Sequence, residues 1–483
     1  MNSIADIPPR GTRIVFTLES KNSMNLTNKL PGHDLLRRTV LVLGLIVLGS
    51  VLPVSAQRVF NVMDYGAMGD GVALDTSAIQ SAINAANGAG DGQVYFPPGI
   101  YRTVTLYLAN NVTLNITNGA KIQASLTSSD WSSCNRTAVI VAEKLNRIGI
   151  IGSGTIDGGG MVYYATNGYT VTNSRPQSII RFSLCTNVTI RGILCTNSTR
   201  WTINLVQCSN VTIDGVTIRN REYALSRETD GIDISGRHIL VKNCDVETGD
   251  DAICLKPEIA DDQSPAQPTH DVTIQNCTVA STCNATKIGT GTSDEAYNIM
   301  FDHITVRKHS RVTSGSNPIP SGSCIAAISM QCNDGGTNHN FTFQNYVITN
   351  CDTPIFIEAQ NRQTLVAHTN NSRLYGLTFS NIFCYQSGRA SQINVQTPCS
   401  IQDITFNNIA IHNQETTFTT ASPPYLSGSY PDAQKYGRMP AYGLFARYVT
   451  NLTFSGAVNF YDDGNSGRPV TAFENVSNVI RLD

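Results

Sequence analysis

Two short acidic segments lie close together near the middle of the chain. Asp230 stands within Thr229–Ile234, and the pair Asp250 and Asp251 opens the segment Asp250–Leu255. The two segments align without a gap, and the alignment places Asp230 opposite Asp251. Because stacked parallel strands lie about 4.8 Å apart, this alignment predicts that the three carboxylates share one small patch.

Carboxylates placed this close together fit the hydrolysis of a glycosidic bond. Like charges at short range raise each other's affinity for protons. Hydrolysis needs one protonated carboxyl to donate to the leaving oxygen and one ionised carboxylate to activate water. A calcium site or a solvated acidic turn would use the same residue types, so the spacing alone leaves these interpretations open.

A recurring phrase in the sequence predicts the fold that positions these groups. It reads Asn-Val-Thr-Ile at 187–190 and 210–213, and variants of it begin at residues 111, 271, 298, 340 and 451. Alternating apolar and polar residues followed by Gly or Asn indicate a short strand with one buried face, then a turn. The spacing is uneven, short between the copies at 187 and 210 and long between those at 298 and 340, which is typical of a solenoid with unequal loops. We therefore predict an all-β, right-handed parallel β-helix.

A second alignment extends the acidic patch by one coil. Residues 241–244 match residues 274–277. Carried forward, this match places Asp251 beside Asn284 and Cys254 beside Lys287.

One stretch near the start of this region has a helical pattern. Residues 75–86 begin with a cap-like Asp75, and positions 79, 82, 83 and 86 are apolar. This spacing predicts one amphipathic helix. We expect it to cover the first coil of the β-helix.

Composition and the N-terminal segment bound the domain organisation. The chain has 483 residues, of which 41% are hydrophobic and 14% charged, and its net charge of −2 gives no electrostatic argument for nucleic acid or anionic lipid. Residues 34–56 carry Arg37 and Arg38, an apolar run and a small-residue cleavage site, which predicts a secretory signal peptide. A single membrane anchor is the alternative, although the apolar run is shorter than the ~20 residues of a span.

This organisation predicts a secreted or periplasmic protein. Residues 1–33 would be a non-native or disordered extension, and residues 57–483 a single catalytic β-helix, monomeric and free of the membrane after signal cleavage.

The cysteines and histidines do not predict a metal site. All 13 cysteines follow the predicted signal peptide, an odd number, and no C-x-x-C pair occurs. Cys244, Cys277 and Cys351 recur after asparagine, which suggests buried residues stacked in a ladder. The histidines show no metal spacing and are expected on turns or the surface. We expect no metal and no cofactor.

The ordered motifs resemble glycoside hydrolase family 28, the polygalacturonases and rhamnogalacturonan hydrolases. The resemblance covers most of residues 57–483 and rests on residues 60–67, Arg175-Pro176, residues 201–203, residues 229–233 and residues 249–252. It implies that Asp250 is the general acid, and that Asp230 and Asp251 position and deprotonate the attacking water. It also implies inversion at the anomeric carbon and a pectin-type polysaccharide as the partner.

The sequence departs from the family pattern at several positions. Glu228 replaces an asparagine before Thr-Asp-Gly, and Asn284 stands where the family has a histidine. The family's Arg-Ile-Lys falls near residues 327–329, which contain no cation. Lys287 and Lys256 are the candidate replacements. These departures favour a divergent bacterial-type member that acts on rhamnogalacturonan or a decorated pectin.

Two further residues are candidates for substrate binding, and two other functions compete with hydrolysis. Tyr223 lies in the insertion before the Asp230 motif, and Arg362 follows a predicted strand, where it binds a carboxylate or pairs with Glu358. One alternative function is pectate-lyase-type elimination, against which the lack of an arginine near Asp250 and Asp251 counts. The other is a non-catalytic carbohydrate-binding β-helix.

Overall fold

The structure is a computed structural model that describes most of the chain after residue 56. The described residues are 57–132, 138–160, 176–220, 228–257, 267–310, 324–362, 370–416, 421–426 and 428–482. The predicted extension over 1–33, the predicted signal peptide over 34–56 and Tyr223 lie outside the described residues.

The described part of the chain is all-β apart from one α-helix and three short 3₁₀ helices. The α-helix, α1, covers Thr76–Gly88, and the 3₁₀ helices cover Val62–Tyr65, Ser128–Trp131 and Ala433–Tyr436. The first fifteen strands are β1 Val59–Asn61, β2 Asp70–Leu74, β3 Gly92–Phe96, β4 Gly99–Thr103, β5 Leu106–Tyr107, β6 Val112–Ile116, β7 Ala120–Ala124, β8 Ile140–Glu143, β9 Asn146–Gly152, β10 Thr155–Asp157, β11 Ser178–Ser183, β12 Thr186–Arg191, β13 Leu194–Thr196, β14 Trp201–Asp214 and β15 Thr217–Arg219. The others are β16 Ile232–Lys242, β17 Asp245–Thr248, β18 Ile253–Leu255, β19 Thr269–Ser281, β20 Asn284–Ile288, β21 Ala296–Val306, β22 Cys324–Cys332, β23 Thr337–Ile348, β24 Cys351–Ala359, β25 Arg373–Ser387, β26 Ser391–Val395, β27 Ser400–Asn413, β28 Leu444–Arg447, β29 Val449–Asp462, β30 Thr471–Glu474 and β31 Ser477–Leu482.

All pairings between these strands are parallel, and they follow the chain in a regular order. One series runs β14, β16, β19, β21, β23, β25, β27, β29 and β31. A second series runs β18, β20, β22, β24, β26, β28 and β30. Each strand therefore pairs with the equivalent strand one repeat further along the chain.

The asparagine of the repeat phrase marks a corner within a strand, at which the backbone takes the left-handed conformation. Asn187, Asn210, Asn298, Asn340 and Asn451 all have positive φ angles, between 54° and 59°. Asparagine, aspartate and histidine tolerate this left-handed conformation better than other residues with side chains. The strand registers place these corners above one another in a column that we call the corner ladder: Asn187, Asn210, His238, Asp271, Asn298, Asn340, Gly376, Asp403, Asn451 and Asn478.

A second column of left-handed residues follows the strands of the same series. Its members Asn345, Asn381 and Asn408 have φ angles of 57°, 54° and 52°. Their side-chain amides bond along the column: Asn381 donates to Asn345 at 2.9 Å, and Asn408 donates to Asn381 at 3.2 Å. The repeated asparagine thus supplies both the backbone conformation and a hydrogen bond between repeats.

The apolar positions of the phrase form the core. Phe301, Phe343, Phe379, Phe406 and Phe454 lie on successive strands, with ring centroids 5.1–5.8 Å apart and planes within 20° of parallel. Burial of one such side chain contributes about 1.5–3 kcal/mol. A column of identical residues therefore aligns each strand with the next.

The α-helix lies close to its predicted position. It spans Thr76–Gly88, against the predicted 75–86, and it buries Ile79, Ala82, Ile83 and Ala86 in the main core. That this helix covers the first coil stays a prediction. In the described part of the chain, no helix is long and apolar enough to cross a membrane.

The cysteines in the described residues are free thiols, and all but Cys283 are buried. The expected stacking occurs for two of the three cysteines, because the register that pairs Asp245 with Thr278 places Cys244 against Cys277 in the next repeat. For Cys351 the prediction was wrong, since Cys277 pairs onward with Ile304, whereas Cys351 lies on β24 and pairs with Cys324. These cysteines therefore fill small core positions.

Candidate active site

Strand register brings the acidic segments together. Ile232 of β16 pairs with Ile253 of β18, and Ile253 pairs with Thr286 of β20. The Gly231 N–H donates to the carbonyl of Asp251 at 2.9 Å, in agreement with the first of the two alignments. A Cβ at Gly231 would lie 2.3 Å from the Ala252 carbonyl oxygen, so only glycine allows this approach.

The second alignment is also present in the register. Cys254 pairs with Lys287, and the Ala252 N–H donates to the Asn284 carbonyl at 2.9 Å. Asp230, Asp251 and Asn284 therefore stand next to one another on three successive repeats.

These residues open into a cavity of about 670 Å³, which we call the acid cavity. Its lining includes seven of the residues singled out in the sequence: Asp230, Asp250, Asp251, Glu228, Asn284, Lys287 and Lys256. The other lining residues are Arg200, Trp201, Gly249, Thr282, Cys283, Thr290, Ile325, Gln331, Tyr430, Pro431, Asp432, Gln434 and Lys435. A cavity of this size suits part of a sugar chain.

Asp250 has the properties of a proton donor. Its carboxylate accepts hydrogen bonds from two backbone N–H groups, that of Glu228 at 2.6 Å and that of Asp251 at 2.9 Å. Burial, together with the negative charges of Asp230 and Asp251, raises the pKa of Asp250 to about 7, although Lys287 acts in the opposite direction. Asp250 is therefore protonated below about pH 7.

The backbone around Asp250 is held firmly, which explains how consecutive aspartates reach the same cavity. The Asp250 carbonyl accepts hydrogen bonds from the hydroxyls of Thr248 at 2.6 Å and Ser281 at 2.7 Å. The Thr282 hydroxyl binds the Gly249 carbonyl at 2.7 Å. The turn after β17 is thus fixed by side chains of β17 and of the next repeat.

Asp251 has the opposite character. Its Oδ2 lies 2.7 Å from the buried Lys287 Nζ, and its Oδ1 accepts the Asn284 side-chain amide at 2.7 Å. Burial acts to raise the pKa of Asp251, but Lys287, Lys256 and the Asn284 amide outweigh it and hold the pKa below its usual value. Asp251 is therefore ionised across the neutral range.

Asp230 shares a lysine with a second buried carboxylate. Lys256 Nζ lies 2.8 Å from Asp230 Oδ2 and 2.8 Å from Asp233 Oδ1. The same ammonium stands 3.9 Å from the centre of the Trp201 ring, a distance at which cation–π attraction is favourable. Burial raises the pKa of Asp230, while Lys256 acts to lower it.

Glu228 borders the cavity through both its backbone and its side chain. Its φ of 71° directs its N–H to Asp250, and its carboxylate lies 3.4 Å from Arg200. The departure from the family's asparagine therefore adds an acidic group that has a cationic partner.

Arg362 does not line the acid cavity. Its guanidinium makes a 2.7 Å ion pair with Asp334 and donates to the Thr290 carbonyl at 3.2 Å. The expected pairing with Glu358 is replaced by this one, because Asp334 and Arg362 belong to segments joined by the Asp334–Asn361 bridge. Glu358 instead accepts a hydrogen bond from Tyr436.

One wall of the cavity, formed by residues 430–435, was not predicted from the sequence. The Tyr430 hydroxyl lies 3.2 Å from Lys287 Nζ, and Lys435 Nζ lies 5.7 Å from the Tyr430 ring. This segment lies far along the chain and lacks the repeat phrase. The only sequence feature that could have indicated this wall is that the segment interrupts the repeat phrase, because insertions between repeats project from one face of a solenoid.

One group of the cavity has metal-ligand atom types. Ligand atoms of Asp250, Asp251 and Cys283 lie within 4.8 Å of one another. Burial and the nearby carboxylates raise the pKa of Cys283 well above its usual value. Without a metal ion the Cys283 thiol is therefore protonated and neutral, and Asp250 and Asp251 are the acidic groups of this cluster.

Comparison with known proteins places this geometry in a family. The family model of glycosyl hydrolases family 28 matches residues 102–428. The chain belongs to glycosyl hydrolases family 28. The enzymes of this family act on O-glycosyl bonds, and three of the motifs that carry the resemblance in the sequence, residues 201–203, 229–233 and 249–252, contribute residues to the lining of the acid cavity.

Individual relatives of this family 28 member are distant in sequence. A probable polygalacturonase of Vitis vinifera is 28% identical over 217 residues, 41% of this chain and 44% of that protein, so the alignment spans less than half of the relative's length. A polygalacturonase of Juniperus ashei is 24% identical over 74% of this chain and 67% of its own. An exopolygalacturonase of Thermotoga maritima has a similar fold, with a TM-score of 0.62 at 17% identity over 85% of this chain and 93% of that one.

Proposed function

We propose that this family 28 chain hydrolyses pectin-type polysaccharide, of the polygalacturonan or rhamnogalacturonan class, by general acid and base catalysis. The observation that carries the proposal is the contrast between two adjacent carboxyls. Asp250 has a pKa raised to about 7 by burial and by the charges of Asp230 and Asp251, whereas Lys287 holds Asp251 ionised. Two carboxyls with separated pKa values provide the acid and the base that glycoside hydrolysis requires.

In the proposed reaction, the Asp250 carboxyl donates its proton to the glycosidic oxygen as the bond to the anomeric carbon breaks. Asp251 accepts a proton from the water that attacks that carbon, and Asp230 orients this water. Because this water attacks the anomeric carbon from the face opposite the leaving group, the configuration at that carbon is inverted. Lys256 keeps the charge of Asp230 compensated during this step.

The cations of the cavity suit an acidic sugar. Lys287, Lys256, Lys435 and Arg200 all line it, although the net charge of the chain is −2. Lys287 and Lys256 are committed to aspartates at 2.7–2.8 Å. Lys435 donates to the Tyr430 carbonyl at 2.9 Å and lies near that exposed ring. Arg200 is paired with Glu228 at 3.4 Å, so we assign contact with a uronate carboxylate first to Lys435.

We further propose the architecture and location that the function implies. The parallel registers and the fold likeness support a right-handed parallel β-helix over 57–483 with α1 covering its first coil. A signal peptide over 34–56 would direct this catalytic domain out of the cytoplasm, as expected for an enzyme whose substrate is a cell-wall polymer. We propose that it acts there as a monomer.

The test is a comparison of wild type with Asp250→Asn on polygalacturonate and on rhamnogalacturonan. Wild type should release reducing ends without the ultraviolet absorbance of unsaturated uronides, and Asp250→Asn should lose roughly 10²–10⁴-fold in kcat. Absorbing products would instead identify a lyase. A wild type that binds pectin fragments without turnover would identify a carbohydrate-binding protein.

Inversion needs a separate measurement. Proton NMR of the first product formed should show the anomer opposite to that of the substrate linkage. Retention of configuration would contradict the assignment of Asp251 as a base, because a retaining enzyme forms a covalent intermediate on its second carboxylate.

A further inference from the structure

The corner ladder departs from asparagine at two pairs of successive positions, Gly376 with Asp403 and His238 with Asp271. Asn210 and Asn298 keep the asparagine of the repeat, whereas His238 and Asp271 stand between them. Both have left-handed φ angles, 54° and 53°, so they occupy the same corner as the asparagines. The backbone does not require the change, because asparagine serves at the neighbouring corners.

A second histidine joins these two side chains. His270 directly precedes Asp271, and its Nδ1 lies 2.8 Å from Asp271 Oδ2. His238 Nδ1 lies 3.5 Å from the same oxygen. The ligand atoms of all three residues lie within 4.8 Å of one another. Ions bound at 2.0–2.2 Å in tetrahedral geometry hold their ligand atoms roughly 3.3 Å apart, so the two distances from the histidines to Asp271 Oδ2 are already close to those of a complex.

The surroundings hold two of the three side chains in place. The His270 ring stacks on Tyr297, with centroids 4.8 Å apart and planes within 2°. The other oxygen of Asp271, Oδ1, accepts the Asn298 amide at 3.2 Å. Hydrogen bonds of this kind orient the ligands of metal sites. His238 and Asp271 also border a groove of about 600 Å³, through which solvent can complete the coordination.

We propose that His238, His270 and Asp271 bind one first-row transition-metal ion, Zn²⁺ by preference, that bridges two adjacent repeats of the β-helix. Two imidazoles and one carboxylate suit Zn²⁺, Co²⁺ or Ni²⁺, whereas Ca²⁺ and Mg²⁺ prefer sets of oxygen ligands. The site is separate from the acid cavity and takes no part in the proposed hydrolysis. Because it joins β16 to β19, its expected effect is to stabilise the repeats that carry Asp230 and Asn284.

The site should be measured by calorimetric titration of the tag-free chain with ZnCl₂, and by the visible spectrum of the Co²⁺ form. We expect one ion per chain, a melting temperature that rises with Zn²⁺ but not with equal Mg²⁺, and no thiolate charge-transfer absorbance. A wild type that binds no Zn²⁺ at millimolar concentration would overturn the proposal.

Substitution by the residue that the ladder uses elsewhere avoids damage to the fold. His238→Asn and Asp271→Asn restore the amide of neighbouring corners, and His270→Phe keeps a ring against Tyr297. Each should weaken Zn²⁺ binding by at least about tenfold while leaving the melting temperature without metal close to that of wild type. Unchanged affinity in all three variants would refute the assignment.

Two control variants separate this site from other places where Zn²⁺ can bind. His303, in the second column, lies 2.8 Å from Asp302, and this pair offers one imidazole where the proposed site offers two. The His303→Asn variant should therefore bind Zn²⁺ like wild type. Cys283→Ser removes the thiol near Asp250 and Asp251. If Cys283→Ser abolishes binding and His238→Asn does not, the ion occupies the acid cavity and the proposal fails.

Discussion

The corner ladder and the acid cavity are built by the same repeats but obey opposite rules. Along the ladder each repeat uses asparagine, or a residue of similar backbone tolerance, so that conformation and hydrogen bonds recur. Around the cavity the stacked positions hold Asp230, Asp251 and Asn284. The two aspartates have different cationic partners, Lys256 and Lys287, and the third residue is uncharged. Recurrence gives the chain a uniform scaffold, and departures from it place groups with different pKa values side by side.

Removal of Lys287 should produce the largest effect on stability and activity. It should act through the acid cavity and leave the corner ladder unchanged. Lys287→Met leaves the buried Asp251 carboxylate without its cation, 2.7 Å away in the native protein. Loss of one partner from a buried ion pair costs about 3–5 kcal/mol. The free energy of unfolding measured in urea should therefore decrease by that amount. Activity should fall as well, because the pKa of Asp251 rises without Lys287.

A double variant distinguishes lost charge balance from lost packing. Lys287→Met combined with Asp251→Asn has no buried charge to leave unpaired, so it should recover most of the stability and none of the activity. If the double variant is as unstable as Lys287→Met, the lysine acts through packing, and the electrostatic account of the cavity is wrong.

The difference between the two regions also explains which features the sequence could predict. Repeats are visible as a pattern, so the two alignments of neighbouring coils predicted the stacking of Asp230, Asp251, Asn284 and Lys287. The partner of Arg362 could not be predicted from its residue type. Arg362 pairs with Asp334, and a β-bridge joins the two segments that carry these residues. Contacts made by non-repeating segments depend on three-dimensional placement that no local pattern encodes.

The same reasoning accounts for two omissions. Tyr430 reaches the cavity from a segment without the repeat phrase, far along the chain from Lys287. His238 and His270 lie too far apart in sequence for metal spacing to be recognised, but stacking of neighbouring repeats brings them together. Both histidines nevertheless stand at or beside a corner where the asparagine of the repeat is replaced, and that replacement is visible in the sequence alone.

Substitution in the second column should lower stability without touching activity. Asn381→Ala removes the amide that bonds to Asn345 and the oxygen that accepts from Asn408. It also leaves the β-carbon in left-handed backbone without the polar side chain that makes asparagine tolerant of this conformation, which costs about 1–2 kcal/mol. With two net hydrogen bonds worth about 0.5–1.5 kcal/mol each, we expect thermal or urea unfolding to show a decrease of about 2–5 kcal/mol in the free energy of unfolding.

Asn381→Gly is the matched control for the column. Glycine accepts the φ of 54° without strain, so this variant should lose only the hydrogen-bond part. Equal losses for alanine and glycine would mean that backbone strain is negligible at this corner. A change in kcat in either variant would contradict the separation of scaffold from chemistry.

The pH dependence of activity tests the cavity without any mutation. Asp250 must be protonated to donate, and its pKa is raised to about 7, so kcat/KM should fall as pH rises above 7, by tenfold per pH unit. Asp251 must be ionised, and its lowered pKa places its own protonation below the ordinary aspartate value of about 3.9. The raised pKa of Asp230 therefore sets the acidic limb, because the carboxylate that orients the water protonates at higher pH than Asp251. The measurement is initial rate against pH at low substrate concentration. A flat profile from pH 6 to 9 would exclude Asp250 as the acid.

Trp201 should give the smallest effect, and its direction decides what the ring does. In the structure the ring faces Lys256 Nζ at 3.9 Å, so Trp201→Leu should cost about 1 kcal/mol of stability and change KM little. If the ring instead stacks on a sugar, KM should rise strongly while stability changes little, and Trp201→Phe should recover part of the affinity. Trp201 belongs to the scaffold in the first case and to the substrate site in the second.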